Sequence, residues 1–419
     1  MHYSFWRRLR GFVLAVTVAC PIAFAANTAV LPFSNRTPVR AAANSSSLDW
    51  IGEAIAETIR DAIDSRGGVS IAREDIDQAF RQLGLRPLVP ITQASVLKLG
   101  EALDADQLVY GSYEFVPDNT AVSRAPLATP ANAYPANRGA LKISAHVFVH
   151  GKSEQSRQFE ESGSIDDLAT FEAHAAWRTL TLALPNLAPQ EAEHRSLSLS
   201  PRLDAQESYI RGMLAKDPAT RQQLFQQAAR LDPRFGHPSW QLGQISYEHA
   251  QYRQSIEWLR KVPPQHVRYR DATFLLGLAL FQTNDFLGAE AAFQKLAEVI
   301  PLGEVFNNLG AAQSRLNLPK AVVSFQKALE SDPNDPAYHF NLGYALWRKG
   351  DFAAAAERFR SAVERDPDDQ VATLLLGYSL KKQGIASAPT LPQTQQRLKL
   401  NFDERAYKQL KALLQTSRP

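Results

Sequence analysis

A Leu-Gly pair that recurs every 33 or 34 residues constrains the fold of this chain more than any other feature. The pair occupies positions 242–243, 276–277, 309–310, 342–343 and 376–377, so successive glycines are 34, 33, 33 and 34 residues apart. A period of this length is typical of solenoids, in which each unit is too small to bury its own apolar side chains and stacks on its neighbours. The second half of the chain is therefore predicted to be an array of similar units.

The copy that contains Gly343 indicates what one unit looks like. Apolar residues at helical spacing run through residues 340–347, and a second apolar stripe runs through residues 352–359. Between the two stripes, Lys349-Gly350-Asp351 provides a helix stop and a capping residue for the next helix. Pro367 ends the unit because proline cannot continue a helix. Each unit is thus a helix, a turn and a second helix.

These marks resemble the tetratricopeptide repeat (TPR), with Leu-Gly in the first helix, Ala and Phe in the second, and a terminal Pro. The resemblance covers residues 205–384, about five to six repeats, with a degenerate first copy around Gly212. It implies an all-α right-handed superhelix whose first helices line a concave groove. The copy around Gly377 departs from the pattern because no second helix follows it directly. Residues 385–419 are predicted to form a Pro-containing linker and a C-terminal capping helix over 402–414.

The first 25 residues differ from the rest of the chain and resemble a secretory signal peptide. Three arginines precede an apolar run, and Ala23-Phe24-Ala25 matches a small-x-small cleavage site. We therefore expect a periplasmic or otherwise exported protein whose mature chain begins at Ala26 and has no transmembrane span. Cys20 is the single cysteine. If it is instead the lipidated residue of a lipoprotein signal, the protein is associated with the outer membrane.

Residues 26–184 are predicted to form an α/β domain, a mixed sheet with helices, in the order β-α-β-α-α-β-β-β-α. Residues 185–204 are expected to be a linker. The VLPF motif at 30–33 and the segment LGEALDADQLVYGSYE at 99–114 resemble the TolB-type amino-terminal domain. That resemblance implies binding and scaffolding in bacterial envelope assembly, and it implies no catalytic residues.

No sequence motif in this domain indicates an enzyme or a cofactor site. The loop after the first strand contains Asn35-Arg36-Thr37 but lacks the glycines that let a backbone wrap a phosphate. His146 and His150 share a predicted strand face about 13 Å apart at roughly 3.3 Å per residue, too far for one metal ion. We expect no catalytic residue, no metal and no cofactor. A hydrolase with an unrecognised site in the α/β domain is the alternative from another functional class.

The groove of the array is the predicted partner-binding site. Asn307 is at repeat position 5, and Asn308 and Asn341 are at position 6, but the Lys that a carboxylate clamp requires is absent. Aromatic side chains are frequent anchors at interface centres. The full set of predicted groove residues is Trp240, Tyr247, Phe274, Phe281, Asn307, Asn308, Arg315, Phe340, Asn341, Tyr344, Trp347, Arg348, Tyr378 and Lys382.

The charge pattern of the groove suggests what the partner looks like. Arg315, Arg348 and Lys382 occupy position 13 of three successive repeats and are expected to form a row of cations. We therefore expect an acidic-aromatic segment of a protein or peptide partner, or of this chain's own acidic N-terminal half. Nucleic acid is not expected, because without residues 1–25 the chain has 43 basic and 43 acidic residues and no concentrated basic face. The predicted function is a non-enzymatic scaffold or adaptor, and the alternative within this class is a lipid-anchored outer-membrane assembly factor.

Overall fold

The computed structural model describes residues 26–38, 48–87, 89–117, 139–149, 157–191, 193, 201–385, 396–403 and 407. The signal-like segment 1–25 lies outside the described residues, as do most of the Pro/Ala-rich segment 117–138 and most of the C-terminal helix expected at 402–414. The described residues form a mixed α/β region followed by a run of antiparallel helices.

The α/β region is built on a mixed six-stranded sheet. Its strands are β1 (Asn27–Val30), β2 (Ser34–Asn35), β3 (Val69–Ser70), β4 (Gln107–Pro117), β5 (Gly139–Val149) and β6 (Arg157–Ser164). The main path of the sheet is β3-β1-β4-β5-β6, and β2 pairs with β4. β1 is parallel to β3 and β4, whereas β4, β5 and β6 form an antiparallel meander. The predicted element order is observed, with the two-residue β2 added.

Helices cover both faces of this sheet. They are α1 (Trp50–Ser65), α2 (Arg73–Gln82), α3 (Gln93–Ala102) and α4 (Leu168–Ala183). On one face, α1 and α4 pack against strand residues such as Val109 and Ile143. On the other face, α2 and α3 enclose a smaller core that includes Leu31 and Leu108. The isoleucines that recur at helical spacing along α1, namely Ile51, Ile55, Ile59 and Ile63, are all fully buried.

Between residues 201 and 385, the described helices form five antiparallel pairs and one further helix. They are α5 (Leu203–Leu214), α6 (Pro218–Leu231), α7 (Gly236–Glu248), α8 (Tyr252–Leu259), α9 (Tyr269–Gln282), α10 (Phe286–Val299), α11 (Gly303–Arg315), α12 (Ala321–Ser331), α13 (Pro336–Lys349), α14 (Phe352–Arg365) and α15 (Gln370–Leu380). The repeat glycines lie where paired helices approach closely. A Cβ on Gly310 would lie 2.8 Å from the buried ring of Phe325, and one on Gly277 would lie 2.7 Å from Phe293.

The first helical pair is continuous with the α/β core. Tyr209, Ile210 and Phe225 belong to the same buried cluster as the residues of α1 and α4. The helix α5 begins at Leu203, inside the segment 185–204 that the sequence suggested was a linker. The α/β region and the array therefore share apolar packing at this junction.

A chain of polar side chains crosses the same junction. The main-chain N–H of Arg268 donates to Nδ1 of His266 (3.1 Å), so His266 Nε2 is left to donate to Nδ1 of His237 (3.0 Å). His237 Nε2 in turn faces the Asp61 carboxylate of α1 at 2.5 Å. Burial lowers the pKa of His266 to about 3 and keeps it neutral. Burial also opposes charge on His237, but Asp61 outweighs that effect and raises its pKa.

Candidate peptide-binding groove

The groove of the helical array is occupied by the chain's own C-terminal segment. Residues Gln396–Asp403, here called the tail segment, lie along α9, α11 and α13. At the end of this segment, the carbonyl of Asp403 accepts a helical hydrogen bond from the N–H of Tyr407 (3.1 Å). The expected capping helix began at Phe402, whose ring lies in the groove 4.9 Å from the ring of Phe274, and Tyr407 within the expected range is helical. The tail segment therefore runs back from the last repeats toward the middle of the array instead of covering its open end.

A row of three asparagines holds the main chain of the tail segment. Asn341 accepts from the N–H of Arg397 (2.8 Å) and donates to its carbonyl (2.9 Å), and Asn307 donates to the same carbonyl (2.8 Å). Asn308 makes the equivalent pair of bonds with Lys399, both at 2.8 Å. Alternate residues of an extended chain turn their N–H and C=O groups to the same side, so residues 397 and 399 present both groups to the asparagines.

The asparagine row is buried and internally bonded. All three side chains are 0% exposed. Asn341 donates to Asn307 Oδ1 (2.7 Å), and Asn307 donates to Asn308 Oδ1 (3.2 Å). A buried polar group without a partner is costly, so this row is stable only with a hydrogen-bonding occupant or water in the groove. Because the row contacts main-chain atoms, it can hold any extended segment.

Side-chain contacts add selectivity for positive charge. The Arg397 guanidinium lies 3.6 Å from the ring centroid of Phe340 and 2.5 Å from the Asp369 carboxylate. The Lys399 ammonium lies 4.9 Å from the ring centroid of Tyr338 and forms an ion pair with Asp335. Each cation is therefore held between an aromatic face and a carboxylate, an arrangement that is stronger in a partly desolvated groove than at an open surface.

Asp335 and Asp369 are binding residues that the sequence reasoning missed. Both directly precede the first helix of a repeat, and in both one carboxylate oxygen caps that helix. Asp335 Oδ1 accepts from the N–H of Ala337 (2.8 Å), and Asp369 Oδ1 accepts from the N–H of Ala372 (3.0 Å). The second oxygen of each carboxylate meets a cation of the tail segment. Their spacing of 34 residues, the repeat period, is the signal that could have indicated a shared role.

Five of the predicted groove residues contact the tail segment, namely Phe274, Asn307, Asn308, Phe340 and Asn341. The other six aromatic residues pack within the array: Trp240, Tyr247, Phe281, Tyr344, Trp347 and Tyr378. Trp347, for example, is 2% exposed and its indole N–H donates to the Gln383 carbonyl at 2.8 Å. Burial raises the pKa of Tyr247 to about 12, so its hydroxyl stays neutral.

The three cations at repeat position 13 do not form the expected row facing an acidic ligand. Arg348 reaches back to the preceding repeat, where it donates to the Ser314 carbonyl (2.8 Å) and bonds the Asn317 side chain. Arg315 lies over the ring of Phe286 at 4.6 Å. Lys382 is exposed after α15. Arg315 and Arg348 thus contact the preceding repeat instead of a ligand. The segment in the groove carries Arg397 and Lys399 and is basic, not acidic.

Possible sites in the α/β region are explained by structural contacts. Asn35 donates to Asp49 (2.9 Å) and Thr37 Oγ accepts from the N–H of Phe115 (2.9 Å), so the loop considered for anion binding is part of the fold. His146 stacks on Tyr110 with 5.1 Å between ring centroids, while His150 lies outside the described residues.

One group among the described side chains has the spacing of metal ligands. Glu57, Asp61 and His237 each offer an atom within 4.8 Å of the others. Asp61 is already bonded to His237, and Glu57 forms an ion pair with Arg60 at 2.8 Å. The Arg60 guanidinium also opposes a metal cation there. We interpret this group as the polar contact between α1 and the array.

Comparison with known proteins identifies the repeats. Residues 241–301 and 311–384 match the tetratricopeptide-repeat family model, which confirms the repeats predicted from the Leu-Gly spacing. The match covers less than half of the chain. No curated protein matches the chain.

Among solved structures, the chain is similar to MamA (residues 41 to the end) from Desulfovibrio magneticus RS-1, with 22% identity, a TM-score of 0.35, and 40% of this chain and 95% of that chain covered. It is also similar to YrrB, described as a TPR protein with an unusual peptide-binding site, with 20% identity, a TM-score of 0.33, and 46% and 92% covered. The TolB-type resemblance has no counterpart in the comparisons.

Within the part of the chain that the structure describes, none of the helices combines the length and the apolar character needed to cross a bilayer.

Proposed function

We propose that this protein is an exported, non-enzymatic adaptor whose repeat array binds an extended segment of a partner protein in bacterial envelope assembly. The observation that carries the proposal is the buried asparagine row of Asn307, Asn308 and Asn341, which holds the main chain of an extended segment. Main-chain recognition supplies affinity, and side-chain pockets supply specificity.

The export part of the proposal depends on residues 1–25 and is tested separately. Fusion of residues 1–30 to a reporter should deliver the reporter across the inner membrane, with a new N-terminus at Ala26. A reporter that stays in the cytoplasm contradicts export. An acylated Cys20 supports the alternative, a lipid-anchored outer-membrane assembly factor.

The role of the α/β region is proposed from its resemblance to the TolB-type domain. We propose that it contributes a second contact surface in the envelope. The alternative from another functional class is a hydrolase with an unrecognised site in this region, and none of the described contacts favours it.

Affinity capture from the producing organism's envelope fraction tests partner binding. The bait is the mature chain, compared with an Asn308→Asp, Asn341→Asp double variant. Each aspartate keeps the shape and the acceptor oxygen but loses the donor and repels the partner's carbonyl, so capture should fall at least tenfold. Asn334→Asp, at an exposed position beside the same repeat, is the matched control and should leave capture unchanged. Equal capture by the double variant contradicts binding through the asparagine row.

A further inference from the structure

We propose that the tail segment is an intramolecular competitor of the partner, and that a partner displaces it with an extended segment of the same chemistry. That segment carries two basic side chains two residues apart, an apolar residue between them and an aromatic residue three positions beyond the second cation. The inference rests on the proposed function for the partner but not for the tail segment itself, which is described in the groove.

The tail segment makes main-chain, ionic and apolar contacts in the groove. Its main chain forms hydrogen bonds with the asparagine row, and Arg397 and Lys399 form ion pairs with Asp369 and Asp335. Leu398 packs on the apolar core of the middle repeats, together with Phe402. Beyond it, the Tyr407 hydroxyl donates to the Val299 carbonyl at 2.6 Å. A partner that binds this surface must therefore remove the tail segment from it.

Charge makes the recognition selective rather than general. Asp369 is 7% exposed, and Phe340 is fully buried. An occupant without a cation at the position of Arg397 therefore leaves the buried Asp369 carboxylate without an ion-pair partner. An acidic segment at either site faces repulsion from Asp335 and Asp369. The sites at Asp335 and Asp369 are therefore expected to select Arg or Lys in the bound segment and to reject Asp and Glu.

The connection between the array and the tail segment is short. Ten residues separate Ile385 from Gln396, and eleven extended steps span at most about 40 Å at 3.3–3.6 Å per residue. A short tether holds a ligand at an effective concentration of about 1 mM. If the free tail segment has a Kd of about 10 μM, the tethered copy lowers the apparent affinity of a competitor on the order of 100-fold.

Fluorescence anisotropy with a labelled synthetic peptide of residues 396–403, QRLKLNFD, tests the competition in the full mature chain. Wild-type protein should bind the peptide weakly, because its own tail segment occupies the groove. An Arg397→Glu, Lys399→Glu double variant should release the tail and bind the peptide about 10- to 100-fold more tightly. Arg253→Glu, Arg260→Glu, at exposed positions on and just after α8, is the charge-matched control and should bind as the wild type does.

Two further measurements make the result decisive. Adding Asn308→Asp to the released variant should abolish peptide binding. Exchange of the backbone amides at positions 397 and 399 should be slow in the wild type and fast in the released variant. Equal peptide affinity of wild type and released variant overturns the competition, as does the absence of peptide binding to either protein. A concentration-dependent dimer that dissociates in the released variant shows exchange between copies and overturns intramolecular binding.

The outcomes separate this inference from the proposed function. Peptide competition without a captured envelope partner supports the tail segment as a ligand and contradicts the adaptor role. Capture that depends on the asparagine row, with no effect of tail release, supports the adaptor role and contradicts competition.

Discussion

Two glycines at the same position of different repeats should respond in opposite ways to the same substitution. A Cβ added to Gly310 would lie 2.8 Å from Cδ1 and Cε1 of Phe325, whose side chain is 0% exposed. A Cβ added to Gly377 would meet no heavy atom within 4 Å. The difference follows from the fold, because α11 packs on its partner α12, whereas the described residues place no helix against Gly377 of α15.

The expected free energies follow from two opposing terms. Replacing Gly by Ala inside a helix stabilises it by up to about 1 kcal/mol. At Gly377 this gain is unopposed, so Gly377→Ala should stabilise the array by that amount. At Gly310 the methyl group also displaces the closely packed Phe325 ring, and overpacking costs about 1–3 kcal/mol. Gly310→Ala should therefore destabilise the array by about 1 kcal/mol, a difference of about 2 kcal/mol between the variants.

Thermal unfolding followed by circular dichroism, with amide exchange to locate the change, measures this difference. For a unit of about 180 residues, 1 kcal/mol corresponds to a shift of about 2–4 °C in Tm. The loss at Gly310 should reach the neighbouring repeats, because each repeat is stabilised by the next. If both substitutions shift Tm in the same direction by similar amounts, the close approach at Gly310 does not determine repeat stability.

Three further predictions concern buried charge. Burial raises the pKa of Glu172 from 4.5 to about 8, so the wild-type protein should lose stability as pH rises between these values. Glu172→Gln should abolish this loss and be more stable than the wild type above pH 8 by a few kcal/mol. Urea unfolding at pH 5 and pH 9 measures the difference. Arg60→Met removes the ion pair of the buried Glu53 carboxylate at 2.5 Å and that of Glu57 at 2.8 Å, while Arg73 stays 3.0 Å from Glu53. It should cost about 3 kcal/mol, with partial recovery on adding Glu53→Leu. Asp61→Ala removes the hydrogen-bond acceptor of His237 and should cost about 1–3 kcal/mol, with faster amide exchange confined to α1 and α7. The control is Asp77→Ala, which removes a partly exposed ion pair with Arg73 and should cost about 1 kcal/mol or less.

The helical array could be predicted from sequence because its determinants are local and repeated. Each Leu-Gly pair, second-helix Phe and terminal Pro specifies one unit through interactions within about 34 residues. The order of strands and helices in the α/β region was equally readable, since apolar periodicity and Gly or Pro breaks mark each element. Even the asparagines of the groove were identified, from their positions in the repeat.

The occupant of the groove depended on contacts between residues far apart in sequence. Asn308 and Lys399 are separated by 91 residues, and no periodicity links them. Asp335 and Asp369 look like ordinary helix caps in sequence, because a cap uses one carboxylate oxygen and the pattern does not show where the other points. Arg348 looks equally available for a ligand, yet it bonds the preceding repeat. Local patterns therefore determined the repeats and the shape of the binding surface, whereas only the tertiary structure decided that this surface is acidic at its two charged sites and holds the chain's own basic tail segment.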